Sequence, residues 1–202
     1  MVRLAANLSF LFNEVPFLER FSAAARCGFR AAEFLFPYEY KATELSAALR
    51  QNELEQALFN APPGDWAAGE RGLGGVPGRE QDFRDGIHRA LEYATELQCK
   101  TVHIMAGTEA QGAREEIFVE RMCWADDQAV AAGVRLCVEP LNGRDMPGKQ
   151  ARLPPRTRAF TPFAPHTQEA NERNAPPNHR QVTCCQTRPP GCACSMPSTV
   201  LM

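Results

Sequence analysis

The chain has 202 residues, room for one ordinary domain, and its 44% apolar content suits a packed core rather than a disordered chain. Its net charge of −2 hides two unlike parts: residues 1–142 hold 14 Lys/Arg and 21 Asp/Glu, whereas residues 143–202 hold 8 and 3, with 10 of the 16 prolines and 4 of the 8 cysteines. The apolar run at residues 4–12 is broken by Asn7 and Ser9 and leads to no cleavage site, which argues against an exported or membrane protein and leaves a cytoplasmic location as the expectation.

The predicted elements alternate. Residues 4–10 read as a strand, and residues 16–27 as a helix with Pro16 near its start, Phe17, Phe21 and Ala24 on one face, and Gly28 at its stop. Residues 31–36 give a second strand ending at Pro37, residues 42–51 a second helix, and residues 54–59 a third strand closed by Asn60, Ala61 and two prolines. Residues 61–80 form a glycine-rich connection too long for an ordinary loop, a length more typical of a lid or binding loop than of a packing element. A third helix follows over residues 81–97, with Phe83, Ile87, Leu91 and Ala94 at helical spacing, then a fourth strand over 100–105. A fourth helix covers residues 114–132, with Phe118, Met122 and Ala125 inward and Gly133 as its stop, and residues 134–139 form a fifth strand. Cys27, Cys99, Cys123 and Cys137 lie singly in apolar segments, which suits reduced thiols better than a disulfide framework.

Five strands joined by four helices make successive β-α-β units and a parallel sheet. No G-x-G-x-x-G follows the first strand, which argues against a dinucleotide fold. The fold class expected is α/β with two closures possible, an open doubly wound sheet or a (β/α)8 barrel; a whole barrel takes about 250 residues, so a barrel here would be truncated after about five strands.

In such a barrel, polar groups at the C-terminal ends of strands converge on one site. The strands offer Asn7 and Ser9, Glu33, Asn60, His103, then Glu139 and Asn142. Glu139 leads: a carboxylate after an apolar strand, with Pro140 behind it, can meet a hard cation or a substrate proton. His103 in CKTVHIMAG is either a ligand-facing residue or a hydrogen-bonded core histidine. Glu33 within AAEFLF needs a partner or a site. The long loop carries Asp65, Trp66, Glu70 and Arg71, of which Trp66 and Arg71 together would supply an apolar wall and a carboxylate clamp for a small anion.

Residues 149–202 lose all periodicity and read as an irregular or disordered tail unrelated to residues 1–148. His179, Cys184, Cys185, Cys192 and Cys194 lack the C-x2-C pairs of structural zinc sites. The tail's arginines are not organised by an aromatic or helical stripe, so no nucleic-acid partner is expected. A composition rich in Pro, Arg and Cys without period suggests a change of coding frame or exon near Gly148. An open edge on the fifth strand would favour self-association, as a homo-oligomer or an aggregate.

The segments NLSFLFNEVPFLERFSAAARCGFRAAEFLFPY, FNAPPGDWAAGERGLGGVPGRE, VHIMAG and VEPLN, in this order and spacing, closely resemble the hydroxypyruvate isomerase family, with the 2-oxo-tetronate isomerases among its relatives. The resemblance covers residues 3–148 and implies a xylose-isomerase-like barrel that interconverts a small hydroxy-carbonyl acid, such as hydroxypyruvate, with tartronate semialdehyde. It implies a carboxylate base, an electrophile or divalent metal (Mg or Mn) that steadies the enediolate, and a second acid that returns the proton. Glu139 matches the family's first catalytic glutamate, which is also a metal ligand. Nothing in residues 149–202 resembles the later strands that carry the remaining ligands, so weak metal binding is expected, and a non-catalytic fragment that associates with other chains is the competing expectation.

Overall fold

The computed structural model describes residues 3–139, together with two short backbone strands at 181–183 and 199–201. The first part runs β1 (Ala5–Asn7), α1 (Phe17–Arg26), β2 (Ala31–Phe34), α2 (Ala42–Gln51), β3 (Glu55–Asn60), α3 (Glu80–Glu96), β4 (Thr101–His103), α4 (Glu115–Ala131) and β5 (Arg135–Cys137). Each of these strands pairs in parallel with the next. All five strands and four helices fall where hydrophobic periodicity places them, but every strand except β3 is shorter. β1 stops because Asn7 turns the chain: its Oδ1 accepts from Ser9 N at 3.0 Å, and Phe10 N and Leu11 N donate to its carbonyl.

The expectation of an open fifth strand needs one adjustment. β6 (Gln181–Thr183) and β7 (Thr199–Leu201) extend the sheet, β7 lying parallel to β5 through Cys137 and Leu201, and β6 antiparallel to β7. The outermost strands are therefore β1 and β6. Asn142, the tail histidine and the tail cysteines lie outside the described residues, as does the proposed frame change near Gly148.

Alternation along the strands separates the two faces of the sheet. Ala6, Ala32, Phe34, Phe59, Val102 and Leu136 point toward the helices and are buried. They meet Phe21 and Ala24 of α1, Leu45 and Leu49 of α2, Phe83, Ile87 and Leu91 of α3, and Phe118, Met122 and Ala125 of α4 in one core. Phe17, Phe21 and Phe34 pack edge to face at centroid distances of 5.6–6.1 Å. The opposite face carries Asn7, Glu33, Asn60 and His103, paired across neighbouring strands. A register shift opposite Ala32 and Glu33 inserts Ala57 into β3, so Gln56 turns to the helix side while Leu58 stands beside Glu33.

Candidate active site

Three short hydrogen-bonded groups stand at the C-terminal ends of the strands. On β1 and β2, register partners Asn7 and Glu33 are joined by Asn7 Nδ2 donating to Glu33 Oε1 at 2.9 Å. Ser9 continues this edge: its Oγ accepts from Leu35 N at 2.9 Å. The charge inside AAEFLF thus has a partner.

The second group joins β3, β4 and β5. His103 is buried, with Nδ1 at 3.1 Å from Asn60 Oδ1, while Glu139 N–H donates to His103 Nε2 at 3.3 Å. An amide N–H can only donate, so Nε2 is the acceptor and the ring proton resides on Nδ1. The imidazole is therefore neutral and of one tautomer. Burial holds its pKa below the ordinary 6.5, and the nearby Glu139 charge offsets part of that shift. Asn60 is itself anchored, since Tyr38 Oη donates to its carbonyl at 2.7 Å. Burial pushes the Tyr38 phenol well above its ordinary value, against the pull of Arg89.

Glu139 is exposed at the rim, with its main chain fixed and its carboxylate unbonded among the described residues. Beneath it, the Cys137 thiol is pushed up to about 12, first by burial, then by the Glu139 charge, with a smaller push from Glu33. The Cys137 thiol thus feels carboxylates from β2 and from just past β5. Such a thiol stays protonated and is a spectator near neutral pH.

The third group is the connection between β3 and α3, which is less of a free lid than its glycines suggest. Its second limb is built into the fold: residues 72–76 are buried, Gly74 N donates to Met105 O and Gly75 N to Ala106 O, and Gly72 bridges to Ala106. Gly72 has φ +109°, and a Cβ there would lie 2.3 Å from Met105 O, so only glycine fits. Arg121 of α4 is buried under this limb, with Nη1 donating to Leu73 O at 2.7 Å and Val76 O at 2.9 Å. The first limb is exposed and carries Trp66, which packs against Phe36 at 5.0 Å, and Arg71, whose guanidinium lies 3.7 Å over the indole. Arg71 Nη1 donates to the carbonyls of Trp66 and Glu70. Asp65 and Glu70 serve the loop itself: Asp65 Oδ1 accepts from Ala68 N at 2.9 Å, and Glu70 pairs with Arg79.

The fold thus brings Glu139, His103 and Asn60 into contact and Trp66 into contact with Arg71, but no hydrogen bond or ion pair joins the two sets among the described residues. Sequence reasoning passed over Arg121, Tyr38 and Gln111. Arg121 had a signal, a charge three residues after Phe118 on the inward stripe of α4. Gln111 and Tyr38 had none, because their partners lie about 40 and 22 residues away.

A divalent cation does not fit the described donors. No three His, Cys, Asp or Glu side chains converge to hold one among the described residues. Both His103 nitrogens are engaged and Glu33 Oε1 accepts from Asn7, which leaves the Glu139 carboxylate and Glu33 Oε2, too few to complete a cation site among the described residues.

Five parallel strands joined by four helices, with polar side chains gathered at the strand ends, are the arrangement of the β/α-barrel class, in which catalysis is placed at that face. The chain belongs to the xylose isomerase-like TIM barrel family, whose pattern matches residues 21–159. It is 57% identical over 152 residues to the 2-oxo-tetronate isomerase of Cupriavidus necator, covering 73% of this chain and 58% of that one. It is 47% identical over 152 residues to the hydroxypyruvate isomerase of Escherichia coli, covering 73% and 59%. Among solved structures, a Brucella melitensis protein named as an AP endonuclease of family 2 superposes with a TM-score of 0.70 at 52% identity, over 74% of this chain and 59% of that one. A D-psicose 3-epimerase from Clostridium cellulolyticum, 16% identical with a TM-score of 0.53, shares the fold over 70% of this chain and 53% of its own. The chain spans somewhat under three fifths of the length of these closer relatives. Among the described residues, no helix is long and apolar enough to cross a membrane.

Proposed function

We propose that this chain carries the base-bearing part of an isomerase for small hydroxy-oxo acids, with Glu139 as the base. The supporting observation is Glu139 itself: an exposed carboxylate at the end of β5, its main chain pinned to a neutral His103, in a chain 47–57% identical to two such isomerases. With hydroxypyruvate as substrate, Glu139 takes a proton from C3. The released electron pair forms the C2–C3 double bond, and the C2 carbonyl oxygen becomes the enediolate oxygen. Protonated Glu139 is then an acid able to return the proton to C2, while the C3 hydroxyl proton passes to the C2 oxygen, leaving a hydroxyl at C2 and the aldehyde of tartronate semialdehyde at C3. His103 acts through position, holding the Glu139 main chain. Arg71, flat against Trp66, offers its remaining N–H groups to the substrate carboxylate. No step is routed through a metal.

The higher identity to the 2-oxo-tetronate isomerase supports a four-carbon substrate as the second reading, by the same proton transfer. The test is interconversion of each acid by the chain and by Glu139→Gln, which keeps the shape but cannot accept a proton. Loss of about 100-fold or more in kcat is expected. Turnover by Glu139→Gln at the parent rate would remove Glu139 from the role.

A further inference from the structure

We infer that Gln111 is the positioning residue for the Arg71–Trp66 arm, and through it sets affinity for an anionic ligand. The inference rests on the reading of Arg71 as the group that meets the substrate carboxylate.

Gln111 closes a single 3-10 turn, Glu109–Gln111, between β4 and α4. Its side chain leaves that turn and crosses to the neighbouring connection. Oε1 accepts from Arg71 N at 3.1 Å and from Thr108 N at 3.0 Å, with Thr108 Oγ1 at 3.1 Å, and Nε2 donates to Gly72 O at 3.1 Å. One amide therefore binds the main chain on both sides of the Arg71–Gly72 peptide. Just beyond it the buried limb begins, where Gly72 bridges to Ala106; just before it lies the exposed limb with Trp66. Gln111 stands at the joint between the two.

The chemistry needs this residue type. A carboxylate would accept from Arg71 N but could not donate to Gly72 O, and an aliphatic side chain would leave the Arg71 N–H and the Gly72 carbonyl without these partners. The Thr108 end is rigid, since Thr108 is buried and its Oγ1 also accepts from Gln111 N at 3.2 Å. The arm's other contacts, a cation over a ring, Phe36 beside Trp66, two bonds from Arg71 to carbonyls of its own loop, the Glu70–Arg79 pair, and main-chain bonds from Glu70 N to Asp65 O and Gly72 N to Pro63 O, leave Arg71 N to Gln111. Without Gln111 the guanidinium keeps its charge and loses its fixed direction.

The experiment uses the full chain carrying Trp124→Phe, which leaves Trp66 as the single tryptophan. D-Glycerate, a small hydroxy acid that is not turned over, is titrated against Trp66 fluorescence, and acrylamide quenching reports the freedom of the indole. Gln111→Leu is expected to raise quenching and to weaken glycerate binding about tenfold. Gln111→Glu should recover part of that loss by restoring the bond from Arg71 N. Arg71→Met should weaken binding similarly, and the Arg71→Met/Gln111→Leu pair should lose little more than Arg71→Met alone, as expected when two residues act through one contact. With hydroxypyruvate, KM should rise while kcat stays within about twofold. Glycerate binding unchanged in Gln111→Leu, additive losses in the pair, or no glycerate binding by the parent would each overturn the inference. Coupled glycerate binding in a chain that turns over neither acid would sustain it and dismiss the isomerase reading instead.

Discussion

His103 is held between an amide oxygen and an amide N–H, and the second contact, in which Nε2 accepts, requires its neutral form. Burial lowers its pKa from 6.5, the unfolded value, so between the depressed folded pKa and 6.5 the unfolded chain binds more protons than the native one. Stability therefore rises with pH through that window and falls on acidification. Full benefit is present above pH 6.5. Urea unfolding near pH 5 and pH 7.5 should show this loss for the parent and a smaller one for His103→Gln; equal pH dependence in the two would exclude His103 as its source. Protonation of native His103 also removes the acceptor for Glu139 N–H, so the base should loosen as pH falls through the depressed folded pKa, below that window. Glu139 and His103 were visible in the sequence because each interrupts or ends an apolar strand. The tautomer was not, because it is dictated by Asn60, 43 residues away, and by a main-chain group that carries no sequence signature.

Helix endings show, at the scale of elements, which turns the sequence marks and which it does not. α1 and α4 stop at Gly28 and Gly133, both left-handed at φ +88° and +67°, as the sequence predicts. α2 and α3 make equivalent turns at Glu53 and Gln98, with φ +52° and +54°, where no glycine announces them. Leu54 N donates to Leu49 O and Cys99 N to Ala94 O, the same closing bond that Phe29 N makes to Ala24 O and Val134 N to Ala129 O at the glycine-ended helices, so the turn forms alike without a glycine to mark it. A side chain in this conformation costs about 1 kcal/mol. Glu53 is exposed and forms no ion pair among the described residues, so Glu53→Gly should stabilise the chain by roughly 0.5–1 kcal/mol in chemical denaturation. A destabilised variant would mean the Glu53 side chain contributes more than its backbone conformation costs. The long connection after β3 follows the same logic. Its glycines marked it as unusual, but residues 72–76 are fixed by β4 and by Arg121, contacts no local pattern encodes.

The sheet ends at β1 on one side, and among the described residues four of the six large exposed apolar side chains lie in or near this part of the chain. Leu4 and Phe10, flanking β1, are 69% and 64% exposed, and Leu11 and Leu18 are exposed nearby. An unpaired strand edge lined with apolar side chains is a template for another chain. The parallel order and the helix-facing core were legible because they follow from the alternation of elements and from period-two burial. Which edge stays open was not: the sequence points to β5, whereas β7 pairs with β5 and leaves β1 outermost. The consequence is testable without touching the candidate site. Leu4→Lys with Phe10→Ser places a charge and a hydroxyl along the β1 edge, at positions that bury little in the chain itself, so the melting temperature should move by no more than a few degrees. Sedimentation over a range of concentrations should show the parent associating and the double variant shifted toward monomer. If the two sediment alike, the β1 edge does not drive association. A large fall in melting temperature would instead mean that these two side chains support the fold of β1 itself.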